Sequence, residues 1–493
     1  MTHPFFTYVR SRVSLIQRRT SECIPLEMVL FSVGVGLVIF LTTFRLFESP
    51  ETWMDEGLII QSAIGLLETG KAALPVAPGV FEPAWYITTG YPVTLPLAGV
   101  FALFGISLEA ARLVMLLFLI SFFVALLVYV SRSMKGIAAW CALYLLIFFA
   151  PIYGNGRNVL GEVPGIVFII LALLPLLKND VLSRKNAIWI GVWAGLAVAA
   201  KPIFILFLPA LLCSLLVRHK ELNLRNTFWV GTVSVIAPLL LWVVLQFNHD
   251  ALGNILAVYS NPHSVDIGSA IVENLKRLVT EMQPMYFFAA LSLWVVSYVI
   301  RRLRHEMVSA AEEVALIFSV LVLLAYLRTA GYYRYFFPAQ VFALLYLPQS
   351  FLYLFRERSV IYKHIAYAVL FGLIIFQMHA TFFRSWVAVH FNATRTETLE
   401  SYFETIPKEQ EIFIYQAPEV VPFAPKDTVY QYTKIIPAVI AGKEYQSRVL
   451  LGQAPLVIAP EELFLQESTS TFQHYVVTQT IDRYVVLAPD TKK

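Results

Sequence analysis

The feature that most constrains this chain is a succession of long apolar runs separated by short loops rich in arginine and lysine. A run of about 20 apolar residues crosses a bilayer as one helix. Inside the bilayer no water satisfies an open backbone, so a helix is the form such a run takes. Composition agrees: 58% of the residues are hydrophobic and 14% charged, against about 45–50% and about 25% in soluble chains. The net charge of +4 is small, and the cations sit in short loops, which speaks for membrane topology and against a nucleic-acid partner. Cys23, Cys141 and Cys213 lie in or beside apolar runs, as small membrane-embedded residues rather than a disulfide framework. The first run has no small-residue cleavage site after it and reads as an anchor.

Loop charges set the expected topology. Arg10, Arg12, Arg18 and Arg19 precede a first span at 27–44, so residues 1–26 are expected in the cytoplasm and Asp55 and Glu56 on the outer face. The apolar stretch 92–104 is too short to cross, so 91–104 is expected as an interfacial or re-entrant helix. Span 111–130 then returns Arg132 and Lys135 to the inside. Further spans are expected at 136–151, 164–177, 187–200, 202–217, 227–247, 284–300, 314–327, 336–355 and 365–383. Lys201 falls at the break between two half-length helices. The total is about eleven spans, an odd number, which leaves the C-terminus outside. The reading is a mainly α, polytopic membrane domain over 27–384, with outer loops at 48–110, 152–163 and 248–283. A small extracytoplasmic α/β domain follows over 385–493. Strands are expected there at 411–416, 448–451 and 484–487, and a helix at 396–403. The cell (inner) membrane is the expected location.

The topology gathers the outer-facing ionisable residues Asp55, Glu56, Glu82, Arg157, Glu162, Lys201 and Arg334 on one side. Charges within or against spans are costly and mark functional sites. Carboxylates beside cations suit transfer of a group from an anionic lipid. A carboxylate accepts the proton of an attacking hydroxyl, and Lys or Arg holds a phosphate leaving group. Simpler roles are open for each. Asp55 can cap a helix, Arg157 and Glu162 can pair at the surface, and Lys201 can snorkel. Arg334 stands among Tyr332, Tyr333 and Tyr335, as in an aromatic belt. His249 and His263 have no third ligand at useful spacing. Asn392-Ala393-Thr394 is a glycosylation sequon only in a secretory context.

The order of short motifs carries a resemblance. Asp55-Glu56 follows the first span. Phe81-Glu82-Pro83 and Gly90-Tyr91-Pro92 come next, then Arg157 with Leu160-Gly161-Glu162-Val163-Pro164. Gly195-Leu196-Ala197 leads to Lys201, and Arg334-Tyr335 precedes Pro338. Over 53–216 and 331–338 this order resembles the C-type (GT-C) membrane glycosyltransferases, in particular the protein O-mannosyltransferase and lipid A aminoarabinose transferase group. The resemblance implies a polyprenyl-phosphate-linked sugar as donor on the outer face and inverting transfer in one displacement. The acceptor would be a hydroxyl of a glycan, lipid or protein. Asp55 matches the residue that acts as base, and Glu162 matches the second-loop acid. Lys201 and Arg334, with Tyr335 beside it, match residues at the lipid phosphate. Glu56, Glu82 and Arg157 are further candidates for substrate contact. Acids at such a site can hold a divalent metal, although no closed ligand set is visible. Rival readings are a transporter or flippase of a lipid-linked glycan, which broken helices also suit, and a scaffold presenting the outer domain.

Overall fold

Helix follows helix through the first four-fifths of the chain, as the apolar runs require. The computed structural model describes residues 26–178, 182–218, 224–247, 261, 264–385, 394–436 and 439–490. The membrane part begins with α1 (Leu26–Thr43), α2 (Met54–Thr69), a hairpin of β1 (Ala73–Ala77) and β2 (Val80–Pro83), α3 (Tyr91–Phe104) and α4 (Leu108–Ser133). It continues through α5 (Gly136–Ile147), α6 (Ala150–Arg157), α7 (Glu162–Leu173), α8 (Arg184–Ala200), α9 (Phe207–Val217) and α10 (Leu224–Gln246). It closes with α11 (Ile267–Thr280), α12 (Met282–Leu303), α13 (Ala310–Leu327), α14 (Phe337–Leu354) and α15 (Val360–Phe383).

Seven of the described helices are long and apolar enough to cross a membrane: α1, α4, α10, α12, α13, α14 and α15. α5 and α6 make an eighth if they form one span, bent by 51°. The expected total of about eleven is reached only if 162–177, α8 and 202–217 cross as well. Trp229, Leu240 and Val244 of α10 and Phe371 of α15 are exposed. A bilayer covers such a surface; water would not tolerate it. Inside the bundle, Trp294 stacks on Tyr346 with ring centroids 4.4 Å apart, within a continuous core that runs from Leu119 to Leu347.

Two local expectations are refined. Within the expected outer loop 248–283, residues 267–280 form the amphipathic helix α11, capped by Asp266 on the Ser269 amide at 2.8 Å. The expected span 136–151 breaks at Phe148–Phe149, just before Pro151, and α6 continues to Arg157. His249, His263 and Asn392 lie outside the described residues.

The C-terminal part comprises α16 (Thr394–Thr405), β3 (Ile412–Tyr415), β4 (Val429–Ile436), β5 (Val439–Ala441), α17 (Lys443–Leu450), β6 (Val457–Pro460), α18 (Glu461–Glu467), β7 (Tyr475–Ile481) and β8 (Tyr484–Pro489). The strands form one mixed sheet in the order β5-β4-β3-β6-β8-β7, with β3 parallel to both β4 and β6. Ile412 and Ile414 of β3 pack with α16 on one face, and Phe413 and Tyr415 pack on the other. Burial on both faces explains why this central strand reads as an unbroken apolar run. The strand expected at 448–451 is instead the end of α17. Val449 is buried there while Leu450 and Leu451 are exposed, which is one helical stripe and not a strand core.

This domain docks on the end of the bundle that carries α2. Gln61 donates to the Pro418 carbonyl at 3.1 Å, and Gln431 donates to Gln61 at 2.7 Å and to the Pro75 carbonyl. A Cβ on Gly57 would collide with the Pro418 carbonyl, so α2 and the domain meet backbone to backbone.

Candidate active site

Four chain breaks converge to build the site. α2 starts at Met54 after the extended residue Trp53, and Asp55 is its second residue. No side chain caps this helix, so Asp55 does not serve as the cap the sequence left open. Its carboxylate instead pairs with Arg334. Arg334 stands in the short 3-10 turn Tyr333–Tyr335 ahead of α14. Its guanidinium carbon lies 5.1 Å from the Trp53 ring and 5.4 Å from the Tyr335 ring.

The other two breaks bring Glu162 and Lys201 together. Lys201 ends α8 in extended conformation, φ −158° and ψ 127°, because a residue before proline is pushed out of the helical region and Pro202 follows. Glu162 is the first residue of α7. A Cβ on Gly161 would collide with the Ala200 carbonyl, so only glycine lets α7 start this close to the Lys201 break. The result is a buried ion pair, Lys201 Nζ to Glu162 Oε1 at 3.3 Å. The second carboxylate oxygen of Glu162 is buried without a hydrogen-bond partner. Burial works against the charge of Arg334, but the carboxylates of Asp55 and Glu162 outweigh it and hold the guanidinium above its usual pKa. The two pairs therefore feel one another as a single cluster of alternating charge.

Three candidates lie elsewhere. Glu56 points inward and is fully buried. Arg112 binds both of its carboxylate oxygens, at 3.2 and 3.0 Å, and also donates to the Leu46, Phe47 and Pro50 carbonyls. Arg157 is equally buried and donates to the Ser49 carbonyl at 3.1 Å and to the Leu41 carbonyl, with no pairing to Glu162. Glu82 accepts the Gly442 amide at 3.0 Å, across the junction with the C-terminal domain. Burial raises its pKa, which the Gly442 bond lowers and Glu444 raises. All three make contacts within the protein, although Nε of Arg157 is buried without a hydrogen-bond partner. A helix turns about 100° per residue, so Asp55 and Glu56 face different surroundings.

The sequence reading missed Arg112, although a lone arginine in an apolar run was the available signal. It also missed the support of Arg334. Asn274 of α11 donates to the Leu327 and Thr329 carbonyls at 3.0 and 2.9 Å, and Arg277 donates to the Gly331 carbonyl at 3.1 Å. Gly331 adopts φ +80°, a turn that suits glycine and leads the chain to Arg334.

Among the described residues no group of three or more His, Cys, Asp or Glu side chains is placed to hold a metal ion. The two site carboxylates are each paired with a cation.

No protein-family model and no curated protein matches the chain. Solved structures do match. ArnT from Cupriavidus metallidurans bound to undecaprenyl phosphate aligns with a TM-score of 0.61 at 13% identity, covering 94% of this chain and 98% of that one. The Archaeoglobus fulgidus oligosaccharyltransferase in complex with Zn and sulfate aligns at 0.58 and 12% identity, covering 90% and 71%. The arabinofuranosyltransferase AftD from Mycobacteria aligns at 0.53 and 12%, covering 96% of this chain and 40% of that one. The fold is the GT-C fold that the motif order resembled.

Proposed function

We propose that this protein is an integral-membrane glycosyltransferase that moves a sugar from a polyprenyl-phosphate donor to a hydroxyl acceptor. The observation that carries the reading is the convergence of Asp55–Arg334 and Glu162–Lys201 at one end of a membrane bundle of this fold. Undecaprenyl phosphate bound to ArnT supports a lipid phosphate as the anion these cations meet. No observation favours the transporter, since the site charges gather at one end of the bundle and not at its middle.

In this reading a donor phosphate competes with Asp55 for Arg334 and with Glu162 for Lys201. A phosphate between the two cations releases both carboxylates. The acceptor oxygen then attacks the anomeric carbon and its proton passes to Asp55. The bond from the anomeric carbon to the phosphate oxygen breaks with its electron pair on that oxygen, and Lys201 and Arg334 stabilise the charge that develops there. One displacement inverts the anomeric centre. Glu162, with one oxygen unpartnered, orients the donor or acceptor. Tyr335 lines the guanidinium. The site and the C-terminal domain occupy the same end of the bundle, and the loop cations support an orientation with that end outside the cytoplasm.

Binding of a polyprenyl phosphate to the purified full chain tests this. Lys201→Ala and Arg334→Ala each remove a charge-assisted bond of roughly 1.5–3 kcal/mol, so affinity should fall about ten- to a hundredfold. Wild-type affinity in both folded variants would refute the phosphate site. Reporter fusions at Lys185 and Lys443 should give opposite signals; matching signals would overturn the topology.

A further inference from the structure

The end of the bundle opposite the candidate site carries a cavity of about 660 Å³ between α12 and α14. Both helices start beside the Arg334 loop and run away from it, so the cavity lies about 30 Å from the site, the length of a 20-residue helix. Its mouth carries Arg304, Arg356 and Arg358. Its inner wall is apolar, from Ile300 up to Leu293 on one helix and along Phe351 and Phe355 on the other. From Ile300 to Leu293 the wall climbs about 10 Å at 1.5 Å per residue.

The mouth is only partly neutralised. Arg304 pairs with Glu357, and Arg356 pairs with Glu306 and stacks 4.2 Å from the Tyr353 ring. Tyr353 holds Glu306 from the other side at 3.0 Å. Arg358 is exposed and makes no ion pair among the described residues. Deeper charges at this end, Arg218 with Glu313 and Arg301 with Glu312, are already matched. The rim thus keeps the unmatched charge of Arg358, directly below an apolar wall. A small free anion would use the rim alone, and a neutral lipid would use the wall alone.

We propose that this cavity binds an anionic phospholipid, with its phosphate at the arginine rim and the start of an acyl chain against the Leu293–Ile300 wall. Basic pockets between membrane helices hold such head groups through charge and hydrogen bonding together. The inference is independent of the reaction at the other end.

The test is native mass spectrometry of the full chain in neutral detergent, titrated with phosphatidylglycerol or phosphatidylcholine, with inorganic phosphate as competitor. Phosphatidylglycerol should bind about tenfold tighter than phosphatidylcholine, the scale of one charge-assisted bond, and phosphate should not displace it. Arg358→Gln, which breaks no ion pair, should remove most of that preference, and Arg304→Gln should deepen the loss. Arg302→Gln, an exposed charge outside the cavity, should leave it unchanged. Equal binding of the two lipids overturns the proposal. So does an equal loss in Arg302→Gln, which would mark a diffuse basic surface. Displacement by phosphate overturns the lipid assignment in favour of a free anion.

Discussion

Asp55 and Glu56 are neighbours on one helical turn, yet their ion pairs are built differently. The Glu56–Arg112 pair is completely enclosed, and the residual donors of Arg112 end on three backbone carbonyls. Glu56 also accepts the Val159 amide at 3.2 Å. Every polar atom there has a protein partner, so the cluster fixes the turn after α1 against α2 and α4. The Asp55–Arg334 pair keeps about a fifth of each side chain exposed, and next to it one oxygen of Glu162 has no partner. Satisfied buried charge specifies structure; charge left with unused bonding capacity can exchange partners with a substrate.

The comparison breaks first if Glu56→Gln is harmless. Removing one partner of a buried pair leaves an uncompensated charge and costs about 3–5 kcal/mol. Glu56→Gln should therefore lower the thermal unfolding midpoint sharply, whatever the effect on turnover, and an unchanged midpoint would put Glu56 in the same class as Asp55. A smaller effect is expected at the domain junction. Gln431→Ala strands Gln61 and the Pro75 carbonyl, at about 1–3 kcal/mol. Limited proteolysis should then cut the C-terminal domain faster, and unaltered cleavage would show that the junction rests on apolar contacts alone.

The smallest effect concerns pH. Burial first, and then the Glu109 carboxyl at the start of α4, push Glu400 of α16 up to about 7. A carboxyl raised in the folded state contributes stability that is present at low pH and is lost as pH rises through its folded value. Wild-type protein should thus lose thermal stability as pH rises through about 7, and Glu400→Gln should flatten that slope. Parallel slopes would remove Glu400 from the junction's energetics.

Much of this was legible because membrane physics is local. Apolar length gave the helices, and the two half-length runs on either side of Lys201 showed the break that positions the lysine. Topology put Asp55, Glu162, Lys201 and Arg334 on one face together with Glu56, Glu82 and Arg157, and the motif order singled out the four. What escaped was long-range or short-period. Arg112 meets Glu56 across 56 residues, and Gln61 meets Gln431 across 370. No sequence window contains either pair. The run at 448–451 is too short to tell a strand from a helix end, and α11 hid in a stretch read only for its charge.

The account rests on Asp55 acting as base while its neighbour holds the frame. The direct measurement is turnover of a polyprenyl-phosphate sugar by purified Asp55→Asn, with its thermal midpoint recorded on the same sample. Asparagine keeps the size and accepts a hydrogen bond from Arg334, but it takes no proton. The account predicts a midpoint close to wild type and turnover lower by about 10²–10⁴-fold, the usual contribution of a general base. Turnover near the wild-type rate would contradict it and leave Asp55 as no more than the anchor of Arg334.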